Sequence, residues 1–433
     1  MAEPQATVRF GPRERRGLVA GWRAPQLAVV VLGLLVAIAL ARLLPGATAA
    51  VVCPVVAACC VAVATLPLRG RTIEQWAPMA ITFTARRSYR REPLRLPVTA
   101  LQRRRPPKAV ARVTGTTGIS LEELAVGPRA ALGVLVDARK QRVTVASYVR
   151  SQGGALALEG ADVTAVRAWG NLLRSATRPG SPVERVQWAA WCEQGRAEGD
   201  LDRKVLLATT VAYGRRRPRG EAVALALREQ LGYSRLLVDA GVVVEDPLDA
   251  AGFATALALD GGTYPWPLAM RESWDHVVVD GLHAKLSWVE EWPRVDRELG
   301  FLSPLLLASP SARVSVTFEP IGPLEAARRL EQERTASMAD EEVKRRGGFL
   351  STMRRQRELE GAVRREAELA DGEGLLCFSG YTLAVGEDLE SVDLVQGTLE
   401  EAAARSGMAL RLLHGEQAPA FALMLALGRG PRG

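Results

Sequence analysis

Lysine is nearly missing from this chain. Its 433 residues hold 56 lysines and arginines, but the lysines are only Lys108, Lys140, Lys204, Lys285 and Lys344. None follows a glycine, so there is no Gly-x-x-x-x-Gly-Lys-[Ser/Thr] loop to cradle phosphates with backbone amides and a lysine. That argues against a P-loop motor ATPase. Cysteine is thin as well: Cys53, Cys59 and Cys60 fall inside an apolar run, and Cys192 and Cys377 stand apart, with no Cys-x-x-Cys pair. No disulfide framework is expected, and a reducing compartment fits. Histidine occurs three times. His276 and His283 share a strand-like segment with Asp275, Asp280, Glu290 and Glu291, a conceivable metal donor set. On a regular strand, however, their odd separation puts the imidazoles on opposite faces, which favours a structural role. His414 is isolated. No Gly-x-Ser-x-Gly elbow or activated-cysteine context occurs. The Gly428, Gly430, Gly433 match to the dinucleotide pattern has no helix after it to receive a pyrophosphate. No catalytic, cofactor-binding or metal residue is therefore named, and a non-enzyme with no cofactor is expected.

What the chain does have is two long apolar runs joined by Pro45-Gly46, over residues 26–68. Leu27 to Leu44 carries one charge, Arg42, and Ala47 to Leu68 carries none. At about 1.5 Å per residue, spans of roughly 18 to 22 residues cross a hydrocarbon core of about 30 Å. A connector this short must sit at the far interface, each run satisfying its own amides as a helix, while Arg42 snorkels to the headgroups. Arg9, Arg13, Arg15, Arg16 and Arg23 precede the hairpin; Arg69, Arg71, Arg86, Arg87, Arg90, Arg91 and Arg95 follow it. The positive-inside tendency then makes both ends cytoplasmic. A cleaved signal peptide, with Ala47-Thr48-Ala49 as its small-residue site, and a buried hairpin in a soluble core are the competing readings. The net charge of +8, concentrated around the hairpin, makes anionic lipid the natural partner and nucleic acid the weaker one.

Residues 1–25 read as a loosely ordered basic tail. Residues 72–90 read as an amphipathic helix, Ile73, Trp76, Ala80 and Phe83 sharing a face, either along the inner leaflet or packed on the soluble part. The interface set is thus Arg69, Arg71, Trp76, Arg86, Arg87, Arg90 and Arg91. A Pro- and Arg-rich linker completes 69–117. Beyond it, strand and helix patterns alternate: strands at 131–137, 141–150, 183–191, 205–213 and 241–245, helices at 162–177, 221–240 and 248–259. Tyr264 to Pro267 breaks the pattern, giving α+β subdomains over 118–262 and 263–433, with a weak hint of duplicated strand–helix–strand units about residue 262. The second half reads as strand over 275–288 with a break at Asp280-Gly281, strand at 313–319, a helical arm over 323–371, strand at 375–385, helix at 389–405, and closing strands at 408–413 and 420–427. The arm is dense in Glu and Arg, has a thin apolar seam and divides at Gly347-Gly348, as a partner-binding helical hairpin would. Trp169, Trp188, Trp191, Trp266, Trp274, Trp288 and Trp292 fall at apolar positions, so packing is favoured over base stacking.

Several segments together resemble a known family. They are Gly70 to Pro78 (GRTIEQWAP), Ser181 to Trp188 (SPVERVQW), Trp274-Asp275-His276, Trp288 to Arg294 (WVEEWPR), the arm residues Arg334, Glu341, Glu342, Gly347, Gly348 and Phe349, and Gly415-Glu416-Gln417. The chain is similar to actinobacterial two-span integral membrane proteins encoded beside small PrgI-like membrane proteins and conjugation-type ATPases in type IV secretion-like clusters. By layout it is similar, more remotely, to the non-motor half of type IV secretion ATPases and to EccE-type subunits of type VII secretion. The resemblance implies a non-enzymatic membrane subunit with a cognate ATPase and a PrgI-like protein as partners, and it brings no catalytic residues; a homo-oligomer is a further partner expectation. The alternative of another class is a membrane-tethered nucleic-acid-binding protein, using the linker at 103–108 and the turn at 215–219.

Overall fold

A computed structural model of the protein describes residues 7–8, 24–43, 45–65, 71–88, 94–95, 119–126, 131–151, 163–194, 201–259, 269–279, 281–293, 297–298, 301–322, 325–332, 334–335, 338, 367 and 374–425. The chain divides into two compact units: unit 1 takes 1–11, 90–326 and 368–433, and unit 2 takes 12–89 and 327–367.

Unit 2 contains helices α1 (Ala24–Leu43), α2 (Gly46–Thr65) and α3 (Ile73–Ser88). The first two have 20 residues each, a rise of about 30 Å. They pair antiparallel: Gln26 Nε2 donates to the Ala64 carbonyl at 2.9 Å, and Cys53 Sγ meets the Ala37 carbonyl at 3.2 Å. At the crossing, a Cβ on Gly33 would lie 2.5 Å from both Cβ and Sγ of Cys60, so only glycine lets the helices approach this closely. Their outward side chains are mostly apolar, with Arg42, Thr48 and Thr65 exposed near the helix ends. Val31, Leu32, Leu34, Leu35, Ile38, Leu43, Val51 and Val55 are all exposed. Among the described residues no helix is long and apolar enough to cross a membrane. α3 rests on this pair, burying Met79 and Phe83 and leaving Ile81 exposed.

Unit 1 is mixed α and β, built on one large antiparallel sheet. Its first half runs β3 (Ile119–Ala125), β4 (Ala131–Asp137), β5 (Arg142–Ser151), α4 (Val163–Thr177), β6 (Val183–Gln194), β7 (Leu201–Ala212), α5 (Arg219–Val238), β8 (Val242–Val244) and α6 (Ala250–Leu257). The second runs β9 (Ala269–Glu272), β10 (Val277–Val279), β11 (Leu282–Glu291), α7 (Ser303–Leu306), β13 (Ala312–Ile321), β14 (Leu375–Gly386), α8 (Leu389–Arg405), β15 (Ala409–Leu412) and α9 (Gln417–Met424). A short β2 (Leu94–Arg95) extends the β9 edge, and β1 (Thr7–Val8) pairs with β12 (Arg297–Glu298) as a separate ladder. The basic tail and the linker, expected to be without structure, each contribute a strand here.

The thirteen strands follow the order β2-β9-β10-β11-β14-β13-β6-β7-β5-β4-β3, with β8 added to β5 and β15 to β11. Read outward from the β6–β13 seam, the order is β6-β7-β5-β4-β3 one way and β13-β14-β11-β10-β9 the other. The two halves are one topology twice. Details repeat with it. The turn into β5 holds Gln141 at φ 56° and the turn into β11 holds Gly281 at φ 90°; α5 ends at Gly241 and α8 at Gly407, both left-handed. Val149 faces Val244 where Val289 faces Leu410. Arg150 pairs with Glu245 at 2.7 Å, and in the second copy Glu290 pairs with Arg411 at 3.6 Å, the signs exchanged. On the helices, buried Ala226, Gln230, Tyr233 and Leu237 correspond to Val392, Gln396, Leu399 and Ala403.

The copies also interlock. Gln187 on β6 and Arg313 on β13 stand two residues to either side of the central pair Ala189–Ser315. Gln187 Nε2 donates to the carbonyls of Leu423 (2.9 Å) and Leu425 (3.2 Å), at the end of α9. Arg313 donates to the carbonyls of Ala256 and Ala258, at the end of α6, and its guanidinium lies 4.9 Å from the Trp191 ring. Each copy thus satisfies the orphan carbonyls of the other copy's short helix. Helices α4, α5, α7 and α8 share a core on one face of the sheet, and α6 and α9 share one on the other.

Strands from both sides of residue 262 join one sheet in one unit; the expected boundary at 264–267 lies outside the described residues. The segment expected as a closing strand at 420–427 is helical over Gln417–Met424. Short apolar runs do not distinguish a buried strand from a buried helix, and Pro419 is tolerated because it sits in the first turn. The turn pair yields a prediction. Gln141→Gly should leave unit 1 unchanged or stabilise it by roughly 0.5–1 kcal/mol, and Gly281→Gln should cost about 1 kcal/mol, because a side chain disfavours positive φ; thermal unfolding of the two variants checks this.

Candidate functional site

Of the expected interface residues, Arg71 and Trp76 have described side chains. Arg71 begins the segment leading into α3, contacts the Met79 sulfur and lies 5.9 Å from the Trp76 ring centre, so the two half-buried groups cover one end of α3. Arg86 and Arg87 fall in the last turn of α3. Arg69, Arg90 and Arg91 lie outside the described residues. In the arm, Arg334 is helical and exposed. Glu341, Glu342, Gly347, Gly348 and Phe349 lie outside the described residues, as does the proposed break at the glycine pair.

The histidines are closer than strand spacing implies. Gly281 turns the chain between β10 and β11, so His276 and His283 come back to the same side with ring centres 5.7 Å apart. His276 Nδ1 lies 2.9 Å from Asp275 Oδ1, and buried Lys285 reaches both Asp275 and Asp393. Burial pushes the Asp275 carboxyl up, but the hydrogen bond from His276 and the charges of His276 and Lys285 outweigh it and hold the group below the usual carboxylate range. Among the described residues no group of three or more His, Cys, Asp or Glu could hold a metal ion. The cluster is a polar clamp between β11 and α8. A carboxylate with a depressed folded pKa contributes stability above its unfolded pKa of about 3.9 and loses it as pH falls through the folded value. The wild-type melting temperature should accordingly drop more steeply than that of Asp275→Asn below about pH 4, as followed by thermal scans.

The tryptophans pack. Trp188 and Trp191 are buried; Trp169 and Trp292 sit edge-on against Phe318 and Phe378, with centroids 5.7 and 5.2 Å apart; Trp288 Nε1 donates to Ser379 and its ring carries the Arg411 guanidinium at 4.7 Å; Trp274 lies against His414. Trp266 is outside the described residues. Of the basic turn, Arg217 donates to the Ala212 carbonyl and Arg219 pairs with Glu122, while Arg215 and Arg216 point to solvent. The linker at 103–108 is outside the described residues.

Sequence reasoning missed a cleft of about 310 Å³ beside α5, lined by Arg178, Arg228, Glu229, Leu231, Gly232 and Arg235. Glu229 is 5 % exposed, and its Oε1 accepts from Arg178 at 2.7 Å and Arg228 at 3.1 Å. The available signal was an acidic residue on the buried face of a helix, between outward arginines. Compared with known protein families and with curated proteins, the chain matches none.

Proposed function

We propose that the protein is a non-enzymatic subunit of a conjugation-type or related secretion apparatus, with α1 and α2 spanning the inner membrane and both ends of the chain in the cytoplasm. Unit 1 then serves as a docking body for a cognate ATPase and a small PrgI-like partner. The observation that carries the anchoring half of this reading is the apolar exterior of the α1–α2 pair, a contiguous patch of the kind that soluble monomers rarely expose. Arg71, just before α3, and Trp76, in its first turn, support it as anchors at headgroup depth. The docking half rests on the resemblance and on the Glu/Arg arm that leaves unit 1 between β13 and β14. Base stacking on tryptophan finds no support, since the described tryptophans are spent on packing. The test is affinity purification of the full chain from its own cells at moderate salt. An ATPase that co-purifies with wild type and is lost when 323–371 is replaced by a flexible linker supports the reading; a chain that purifies without it contradicts the docking role.

A further inference from the structure

The repeat supplies an internal control for the cleft on α5. The fold builds this helix twice, and the buried glutamines Gln230 and Gln396 set the alignment of the copies. One position before them, the second copy places Val395, packed among apolar neighbours, where the first buries Glu229. Leu394 and Glu401 stand where the first copy has Arg228 and Arg235. The fold therefore requires neither the arginines nor a buried acid on this helix. A buried carboxylate in place of an apolar side chain is costly unless its partners are held to it, and here those partners are Arg178 and Arg228. Arg178 is fixed further by Ser175, whose Oγ lies 3.0 Å from its Nη1. Arg235 forms no ion pair among the described residues. Among the described residues, three guanidiniums against one carboxylate leave the cleft with net positive charge.

Along the outward face of α5, Arg228, Leu231, Arg235 and Val238 follow at spacings of three and four, all exposed. That is one helical stripe of alternating cation and apolar side chain, rising about 15 Å. We propose that this stripe, with Arg178 beside it, is the docking site for a short acidic amphipathic helix of a partner protein. Its carboxylates would meet Arg178, Arg228 and Arg235 through paired N–H donors, and its apolar edge would cover Leu231 and Val238. A nucleic acid fits less well, because among the described residues no aromatic ring lines the cleft to stack a base. The inference deepens the docking reading, but it uses unit 1 alone and does not need the membrane placement.

The test uses the full chain in detergent micelles and a fluorescein-labelled synthetic peptide of about five helical turns, with glutamates at three- and four-residue spacing beside a leucine stripe. Fluorescence anisotropy gives its Kd for wild type, for Arg228→Glu/Arg235→Glu, and for Arg215→Glu/Arg216→Glu, which changes the net charge equally at the distant basic turn. The expected result is a loss of about 10-fold or more in the first variant and less than about 2-fold in the second. Arg235→Glu alone, which breaks no ion pair among the described residues, should still weaken binding by about 3-fold and keeps the test readable if the double variant misfolds. Equal losses in both doubles, no loss in either, or displacement of the peptide by a thymidine oligonucleotide with the same arginine dependence would overturn the proposal. Vesicle flotation of the same variants should be unchanged, which separates this failure from failure of the anchoring reading.

Discussion

Replacing Glu319 by alanine should lower the unfolding free energy of unit 1 by about 3–5 kcal/mol. Glu319 on β13 faces Arg185 on β6 across the seam between the two copies, with Oε1 at 2.7 Å from Nε, and both side chains are almost completely buried. Burial and the charge of Arg142 already pull the Arg185 guanidinium below its ordinary value, with Glu319 acting in the opposite direction. Removing the acid leaves a buried cation without that compensation, at the position where the halves join. Two apolar side chains of similar volume avoid both desolvation costs, so Arg185→Met/Glu319→Leu should return to within about 1–2 kcal/mol of wild type or exceed it. Denaturant unfolding followed by tryptophan fluorescence measures both. A single variant costing under about 1 kcal/mol would show that the ion pair does not hold the seam.

The second large effect belongs to Arg313. Arg313→Leu should cost about 2–4 kcal/mol, because the carbonyls of Ala256 and Ala258 lose their donor inside the core and the Trp191 ring loses its cation. Gln187→Leu should cost less, about 1–3 kcal/mol, since a neutral amide makes weaker bonds to the end of α9 than a guanidinium makes to the end of α6. The signature is its location: Arg313 belongs to the second copy, yet its loss should speed amide exchange in α6 of the first. Hydrogen exchange by mass spectrometry resolves the two helices. Loosening confined to the second copy would contradict the interlocked seam.

Much of unit 1 was legible because its elements announce themselves locally. The β-rich runs over 131–137 and 141–150 stand out because both faces of these strands are buried, and the three- and four-residue periodicity over 163–177 and 389–405 because one face of each helix is. What the sequence conceals is long-range. β6 and β13 meet from positions more than a hundred residues apart, and the copies share topology while differing in almost every side chain, as the exchanged charges of Arg150–Glu245 and Glu290–Arg411 illustrate. The insertion of 322–374 between β13 and β14, where the first copy has only a short loop after β6, further hides the repeat. β3 was missed because ISLEELA alternates weakly, and α9 because AFALMLAL carries no period. Among the candidate site residues, Arg71 and Trp76 could be named from their place after the hairpin. The cleft at Glu229 left only a faint signal, an acid on the apolar face of a helix, because Arg178 reaches it from a distant part of the sequence.

A two-span anchor requires the α1–α2 connector to lie on the far side of the membrane from unit 1. Gly46 has nothing within 4 Å of the site a side chain would take, so Gly46→Cys can be introduced in a chain from which Cys53, Cys59, Cys60, Cys192 and Cys377 have been removed. A membrane-impermeant maleimide applied to spheroplasts should label Cys at 46 from outside, whereas Arg215→Cys in the same background should react only after lysis. Labelling at 46 only after lysis, or at 215 in intact spheroplasts, would contradict the two-span anchor and with it the cytoplasmic docking body.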